Sequence, residues 1–498
     1  MKLTNKKKIG LFVLIFTLTV SFVAGCQSDN PSANTKETTV TDNTDVTDMN
    51  YAANYLPDAD YGGYEFRIVT PPNGSYNLMS LEADVEEETG DILYDAIYRR
   101  NRIIEERYNI LFKSIVVDNF NVCLQRFQKS SQSGSDDFDM CMLLPQSAWS
   151  QALEGNILLV NNLPYLDITQ PWYVHGVNSE LSIGGKHFYV YSDECLNLFE
   201  LSYCVLFNKK LTGDMGLVDI YNLVKENKWT MEVFFGYARS ATIDIDGDGV
   251  MTEHDQYGIL GLPSTVYPPL WGAGGVSLVG KDKDDYHVFT GENARVYAVM
   301  EKIYENLCTG EKIYFDGIFD KSTRFGNEPV FVPINQFAGN YGLFYVDAVS
   351  VVPLLRAMET DFGILPNPKY NEAQERYYTS SGKGWINCVS VSATDPERTS
   401  VIMESLAVGS KNFTIPAYIE VALRTKYSRD NESLEMLDII EKTRTVDMGF
   451  SIYWDSIGSP YTYAFIDKDK NFASLVEKNI GVISREIDKS NEAARNLE

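Results

Sequence analysis

Tyr64-Glu65-Phe66-Arg67-Ile68-Val69 alternates polar and large apolar side chains and is rich in strand formers, so it predicts a β-strand. Pro71-Pro72-Asn73-Gly74 breaks that strand. Asp91 is placed to cap a helix on which Leu93, Ile97, Ile104 and Tyr108 recur on one face. Ile110 to Val117 reads as a second strand and the apolar run Phe138 to Leu144 as a third. Strand, helix, strand, helix, strand is the pattern of a parallel sheet with helices on its faces, so the fold class is α/β.

The same alternation continues towards the C-terminus. Strands are expected at Phe188 to Tyr191, Ser202 to Phe207, Phe344 to Val352 and Phe362 to Leu365. Helices are expected over 230–241, opened by Thr230, and over 294–307, where Val296, Val299, Met300, Ile303 and Leu307 form one face. Asp395-Pro396 places a cap and then a proline at a helix start, with Ile402 and Leu406 facing inward. Leu475, Val476, Ile480, Ile483 and Ile487 form the stripe of a closing helix. The chain exceeds the ~250–300 residues at which a single core stops growing, which implies more than one domain.

At the other end, Lys2, Lys6, Lys7 and Lys8 precede an apolar run from Ile9 to Val20. That run is shorter than the ~20 residues a helix needs to cross ~30 Å of hydrocarbon, and reads as a secretory signal peptide over 1–25. Residues 26–61 are dominated by Ser, Thr, Asn and Asp and are expected to form a flexible stalk. A net charge of −26 argues against nucleic acid and anionic lipid as partners. Besides Cys26, the six cysteines form no CxxC pair, so buried free thiols are expected rather than a zinc site. His175, His187, His254 and His287 lie in no HExxH motif, and the chain has neither a GxSxG elbow nor a P-loop. That weakens an enzymatic reading.

The sharpest chemical motif runs from Asp244 to Asp255. Counted from Asp244, carboxylates stand at positions 1, 3, 5 and 12 (Asp244, Asp246, Asp248, Asp255), with Gly249 at the turn. The Val250 carbonyl and the Thr252 hydroxyl would complete an oxygen shell for calcium. The loop resembles an EF-hand, with Asp255 where Glu is usual, and the expected role is structural.

Several further pieces, in order, resemble the extracellular solute-binding proteins of ABC importers, the branch typified by maltose-binding protein. Val23-Ala24-Gly25-Cys26 is similar to a bacterial lipobox, Ser135 to Met140 to the acidic approach to a core strand, and Gly185 to Val190 to the "GK-aromatic" segment. Val205 to Leu211 is similar to "YNK-x-L", Lys228-Trp229-Thr230 to the helix-opening "WT", and Asp361 to Pro366 to a strand ending in proline. The resemblance implies a two-lobed periplasmic-binding-protein-like fold with a hinge crossed more than once. Lobe one would be 62–192 with 384–412 and lobe two 200–378 with 418–498, with hinge segments near 192–199, 380–384 and Phe413. It implies Cys26 acylated as a membrane anchor, a monomer on the outer face of the bacterial cytoplasmic membrane, and no catalysis. The lobes would close on a solute, an oligosaccharide, and pass it to a transmembrane permease. A secreted glycoside hydrolase and a calcium-stabilised adhesin are the alternatives from other classes.

Sugars need flat aromatic platforms with polar groups between them, at the carboxyl ends of strands. Trp149, Trp271 and Trp385 fit that placement, Trp271 in a Pro- and Gly-rich stretch (268–275) with no helical or strand period. Trp229 is assigned to packing, and Trp172 and Trp454 are left open. The polar candidates are Asn73, Tyr76, Gln146, Asp193, Glu194, Tyr345 and Arg356.

Overall fold

A computed structural model describes residues 55–73, 80–310, 312–315, 331–423 and 431–497. The signal peptide, Cys26, the stalk up to residue 54 and Tyr76 lie outside the described residues. The end of the expected stalk is packed on the domain: Leu56 is buried, the Tyr55 hydroxyl donates to Glu404, and Tyr61 N–H bonds Tyr108 O at 2.9 Å.

In chain order the strands are β1 (Tyr64–Thr70), β2 (Ile110–Val116), β3 (Met140–Leu143), β4 (Tyr203–Asn208), β5 (Tyr257–Leu260), β6 (Val279–Lys281), β7 (His287–Phe289), β8 (Tyr314–Phe315), β9 (Gly342–Ala348), β10 (Phe362–Leu365), β11 (Thr379–Ser380), β12 (Ile386–Cys388) and β13 (Arg444–Thr445). Two sheets organise the chain, with orders β12-β3-β1-β2 and β10-β4-β9-β5-β8. In the first, β1 pairs parallel with both β2 and β3, as the opening pattern predicts, and β12 joins β3 antiparallel. In the second, β5 runs parallel to β8 and β9, while β4 is antiparallel to β9 and β10. The chain passes from the first sheet to the second between β3 and β4 and returns between β10 and β12. This is the two-lobed α/β architecture.

The start signals act as the sequence suggests. The Asp91 carboxylate accepts from Leu93 and Tyr94 N–H at the head of helix Ile92–Tyr108, and Asp395 accepts from Arg398 N–H at the head of helix Pro396–Asn412. Asp139, just before β3, is buried and ties three elements together. Its carboxylate takes the Arg67 N–H and Nε–H (2.8 and 3.0 Å) and the Tyr64 hydroxyl (2.9 Å), and Arg398 lies at 3.4 Å. The six described cysteines are buried free thiols.

Two expectations need correction. Phe188 to Tyr191 forms no strand, because its backbone is bonded locally: Tyr191 N–H goes to Asn178 Oδ1, and His187 O and Tyr191 O accept from Val160 and Val174. The strand expected to reach Val352 ends at Ala348, and a 3₁₀ helix, Val349–Ala357, follows with Pro353 inside it. The 268–275 stretch, which shows no helical or strand period in the sequence, is helical as far as Ala273: helix Pro263–Ala273 contains Pro268 and Pro269.

Helix Met231–Ala241 lies directly on β5. A Cβ at Gly258 would stand 2.2 Å from Ala238 O and 2.5 Å from Ala238 Cα, and backbone cannot move aside as a side chain can. Gly258→Ala is expected to cost about 1–3 kcal/mol or more, read as a lower denaturant midpoint at an unchanged m-value.

Candidate functional site

The carboxyl end of β3 runs through Leu144 into helix Pro145–Leu153, and that of β5 runs through Gly261 into helix Pro263–Ala273. Ligands in open α/β sheets sit at such strand ends. Here a cavity of about 380 Å³ opens between these ends and the segments that cross from sheet to sheet. Leu144 and Gln146 come from the first lobe, Ser264, Pro268 and Trp271 from the second. Leu201 and Tyr203 lie on the first crossing, Ser380 to Lys383 on the second, and Asp447, Phe450, Ser451 and Trp454 follow β13.

One wall is aromatic. Phe450 stands edge-on between Trp271 (4.7 Å between ring centres) and Trp454 (5.2 Å). Trp271 is only 1% exposed, while Trp454 is half-buried and the Lys383 ammonium sits 4.4 Å from its ring centre. Burial pushes Lys383 down to about 8, against the field of Asp455, which favours its charge. Ser264, Ser380, Ser381 and Ser451 also line the cavity. Pro268 and Pro269 lack the N–H groups that would bond the carbonyls of Ser264 and Thr265 in a regular helix, and Ser264 lines the cavity. Gly272 lets the second crossing press against this helix, since a Cβ there would meet Ser380 Oγ at 2.1 Å. Asp447 accepts from Leu278 and Gly449 N–H, each at 2.9 Å; burial pushes its carboxyl up to about 6 against those two bonds.

Of the residues singled out from sequence, this cavity gathers Gln146 and Trp271. Trp149 is in the core, stacked on His287 with its indole N–H on Ser490 Oγ. Trp385 is 1% exposed and lies with Leu81, Met142 and Leu201. Tyr345 is buried, its hydroxyl on Asp347, and Arg356 is exposed on the 3₁₀ helix that replaces the expected strand end. Asn73 is exposed and bonds Tyr94 and Leu81. Glu194 accepts from Asn387 Nδ2 at 2.6 Å and lines a smaller space beside Arg100, Asn197 and Trp385. Trp229 packs as assigned, its N–H on Pro366 O, and Trp172 is buried on Glu404. Lys383, Phe450, Trp454 and the four serines come from the structure. Only Lys383, isolated between Gly382 and Gly384 at a crossing, carried a local signal.

Asp193 belongs to the hinge rather than the cavity. It is 3% exposed, lies 3.5 Å from Lys411 and 4.0 Å from Arg444, and is pushed up to about 6 by burial against those cations. Glu200, also at the first crossing, accepts the N–H and the hydroxyl of Ser80, both at 2.6 Å.

In the Asp244–Asp255 loop, one oxygen each from Asp244, Asp246 and Asp255 lie within 4.8 Å of one another. Asp248 is not one of that group and accepts from Val250 N–H; Thr252 donates to Asp255 at 3.1 Å. Gly247 and Gly249 take left-handed φ of 74° and 83°, which lets the loop curl around this point.

No protein-family model matches the sequence, and no curated protein does. Solved structures do. The chain is similar to a cyclo/maltodextrin-binding protein complexed with maltotetraose, at 13% identity and TM-score 0.54, over 85% of this chain and 97% of that one. It is similar to a Rhizobium etli sugar transporter in an open conformation, at 14% and 0.55, over 88% and 100%. It is also similar to UgpB from Mycobacterium tuberculosis in complex with glycerophosphocholine, at 15% and 0.55, over 85% and 99%. At such identities the likeness is one of fold: the chain has the two-lobed fold of ABC-importer solute-binding proteins.

Burial lifts the Glu200 carboxyl from 4.5 to about 7, against two bonds from Ser80 that favour its charge. The folded state therefore prefers the proton. The associated stability is full below pH 4.5 and is lost as pH rises through 7, by about 3 kcal/mol. Thermal melts of the protein at pH 5 and pH 8 are expected to show a larger fall than melts of Glu200→Gln.

Proposed function

We propose that the protein is a solute receptor that captures a carbohydrate between its lobes, without transforming it, for an ABC-type permease. The observation that carries this reading is the cavity at the crossings, lined by Trp271, Phe450 and Trp454 together with serine residues. Indole rings suit the C–H faces of sugars, and hydroxyls suit their O–H groups. Its volume of about 380 Å³ has room for more than one sugar ring, in keeping with an oligosaccharide. The fold neighbours include proteins solved with maltotetraose and, from Listeria monocytogenes, with cycloalternan. The cavity wall has one carboxyl, Asp447, where a glycosidase works with a pair. The lipobox-like Cys26 would tether this receptor to the outer face of the membrane; no helix among the described residues is long and apolar enough to cross one.

Calorimetry against a glycan panel tests the reading. One glycan class is expected to bind, Trp454→Ala is expected to weaken it at least tenfold, about 1.4 kcal/mol, and ligand is expected to compact the protein in solution scattering. Release of sugar from the glycan would instead establish an enzyme.

The Asp244–Asp255 loop is proposed to hold calcium in a structural role, away from the cavity. Asp244, Asp246 and Asp255 supply converging hard oxygens, and the ion would relieve their mutual repulsion. Calcium is expected to raise the melting midpoint by linkage, Asp244→Asn to remove that rise, and neither to change which glycan binds.

A further inference from the structure

Two charged side chains line the cavity, and they differ in what they are already bonded to. Asp447 gives both carboxylate oxygens to backbone N–H groups, those of Leu278 and Gly449. Lys383 has no counterpart of that kind. Among the described residues no carboxylate oxygen lies within 4.0 Å of its ammonium, although Asp455 is near enough to be felt. Its contact is the face of Trp454, at 4.4 Å. Two basic residues held at the hinge differ from Lys383: Lys411 lies beside Asp193 and Glu441, and Arg444 beside Asp193.

One further feature of the wall fits the same charge. Ser264 is in the first turn of helix Pro263–Ala273, whose positive end therefore meets the cavity. Lys383 and this helix end come from different segments and meet in one space. The Trp454 ring beneath the ammonium fixes where a negative group would sit, beside the ring that would carry the sugar face.

We infer that the ligand is an anionic saccharide, whose carboxylate or sulfate is met by Lys383 while its neutral rings lie along Trp454 and Trp271. The inference rests on the receptor reading above and narrows its substrate class. Lys383 is then the residue that decides between acidic and neutral glycans of the same size.

Titration calorimetry at fixed calcium and moderate salt tests this, with neutral oligosaccharides set against uronate and sulfated counterparts of equal length. An acidic member is expected to bind at least tenfold more tightly than its neutral counterpart, with an advantage that shrinks as salt is raised. Lys383→Gln is expected to abolish that advantage, so that acidic and neutral members of equal length bind alike, and Lys383→Arg to keep most of it. Melting midpoints near that of the parent check that both variants fold. The uronate and sulfate arms show which anion is read. Equal or tighter binding of the neutral partners, or a preference that survives in Lys383→Gln, overturns this inference alone. Binding of no saccharide of either kind overturns the receptor reading with it.

Discussion

A chain that crosses repeatedly between two sheets must hold its crossings together, or the lobes have no common axis. Asp193 meets that requirement here. It lies on the first crossing, and the two cations beside it, Lys411 and Arg444, come from the end of helix Pro396–Asn412 and from β13. β13 pairs in parallel with β11 on the second crossing, with Thr379 opposite Arg444 and Ser380 opposite Thr445. Ser381 bridges to Ser202, and Gly382 N–H bonds Leu201 O at 2.9 Å, closing the first crossing onto the second. One buried carboxylate thus faces cations from two other segments of the hinge. Such a pair adds little net stability over an apolar packing, but removing one partner leaves a buried charge uncompensated. Its effect is to fix where the segments meet.

The cavity follows from that meeting point. Residues 380–383 cannot be displaced without breaking the β11–β13 pair, and they carry Ser380, Ser381 and Lys383 with them. Residues after β13 are held in the same way and bring Asp447, Phe450, Ser451 and Trp454. Helix Pro263–Ala273 closes the far side. Its two internal prolines would weaken an isolated helix, but the segment is buried against Phe450, Tyr461 and Phe465 through Trp271, and packing overrides propensity. The irregularity leaves carbonyls without helical donors where a ligand would need acceptors.

The same reasoning explains what could be read from the sequence. Helix Ala294–Leu307 was legible because its whole apolar face, Val296 to Leu307, is buried at helical spacing. Asp91 and Asp395 were legible because a cap needs one residue type at one place. The parallel run β1, β2, β3 was legible because local periods report local structure. Phe188 to Tyr191 was misread because its strand-like composition serves a backbone bonded by Asn178 and by turns. The helix carrying Trp271 was not legible, because Pro and Gly leave the 268–275 stretch without a helical period and tertiary burial supplies what the pattern lacks. The cavity was the least legible part. Its residues come from separated segments as single side chains, and nothing in a one-dimensional pattern shows that Ser264, Lys383 and Trp454 share one space. Strand-end position selected Gln146 and Trp271, which line the cavity, but it equally selected Trp149, which turns into the core beside Ser490.

In the proposed receptor, a cavity built this way would couple occupancy to lobe movement without a separate relay. Gln146 belongs to the first lobe, Trp271 to the second, and Lys383 and Trp454 to the segments between them. A solute touching all four makes contacts that exist together only when the lobes are near one another, so its free energy differs between open and closed forms. That difference is the condition for a ligand to shift such a balance. A reversal from 1:99 to 99:1 needs about 5.5 kcal/mol of preference for the closed form. A few contacts of about 1–3 kcal/mol each reach that total: an indole stacked on a sugar face, and a charge met by Lys383 in a site sheltered from water. Contacts confined to one lobe would add affinity and leave the balance unmoved. In the proposed receptor the crossings would therefore be the place where binding energy does most to close the molecule, and Trp454, Phe450 and Lys383 all lie there.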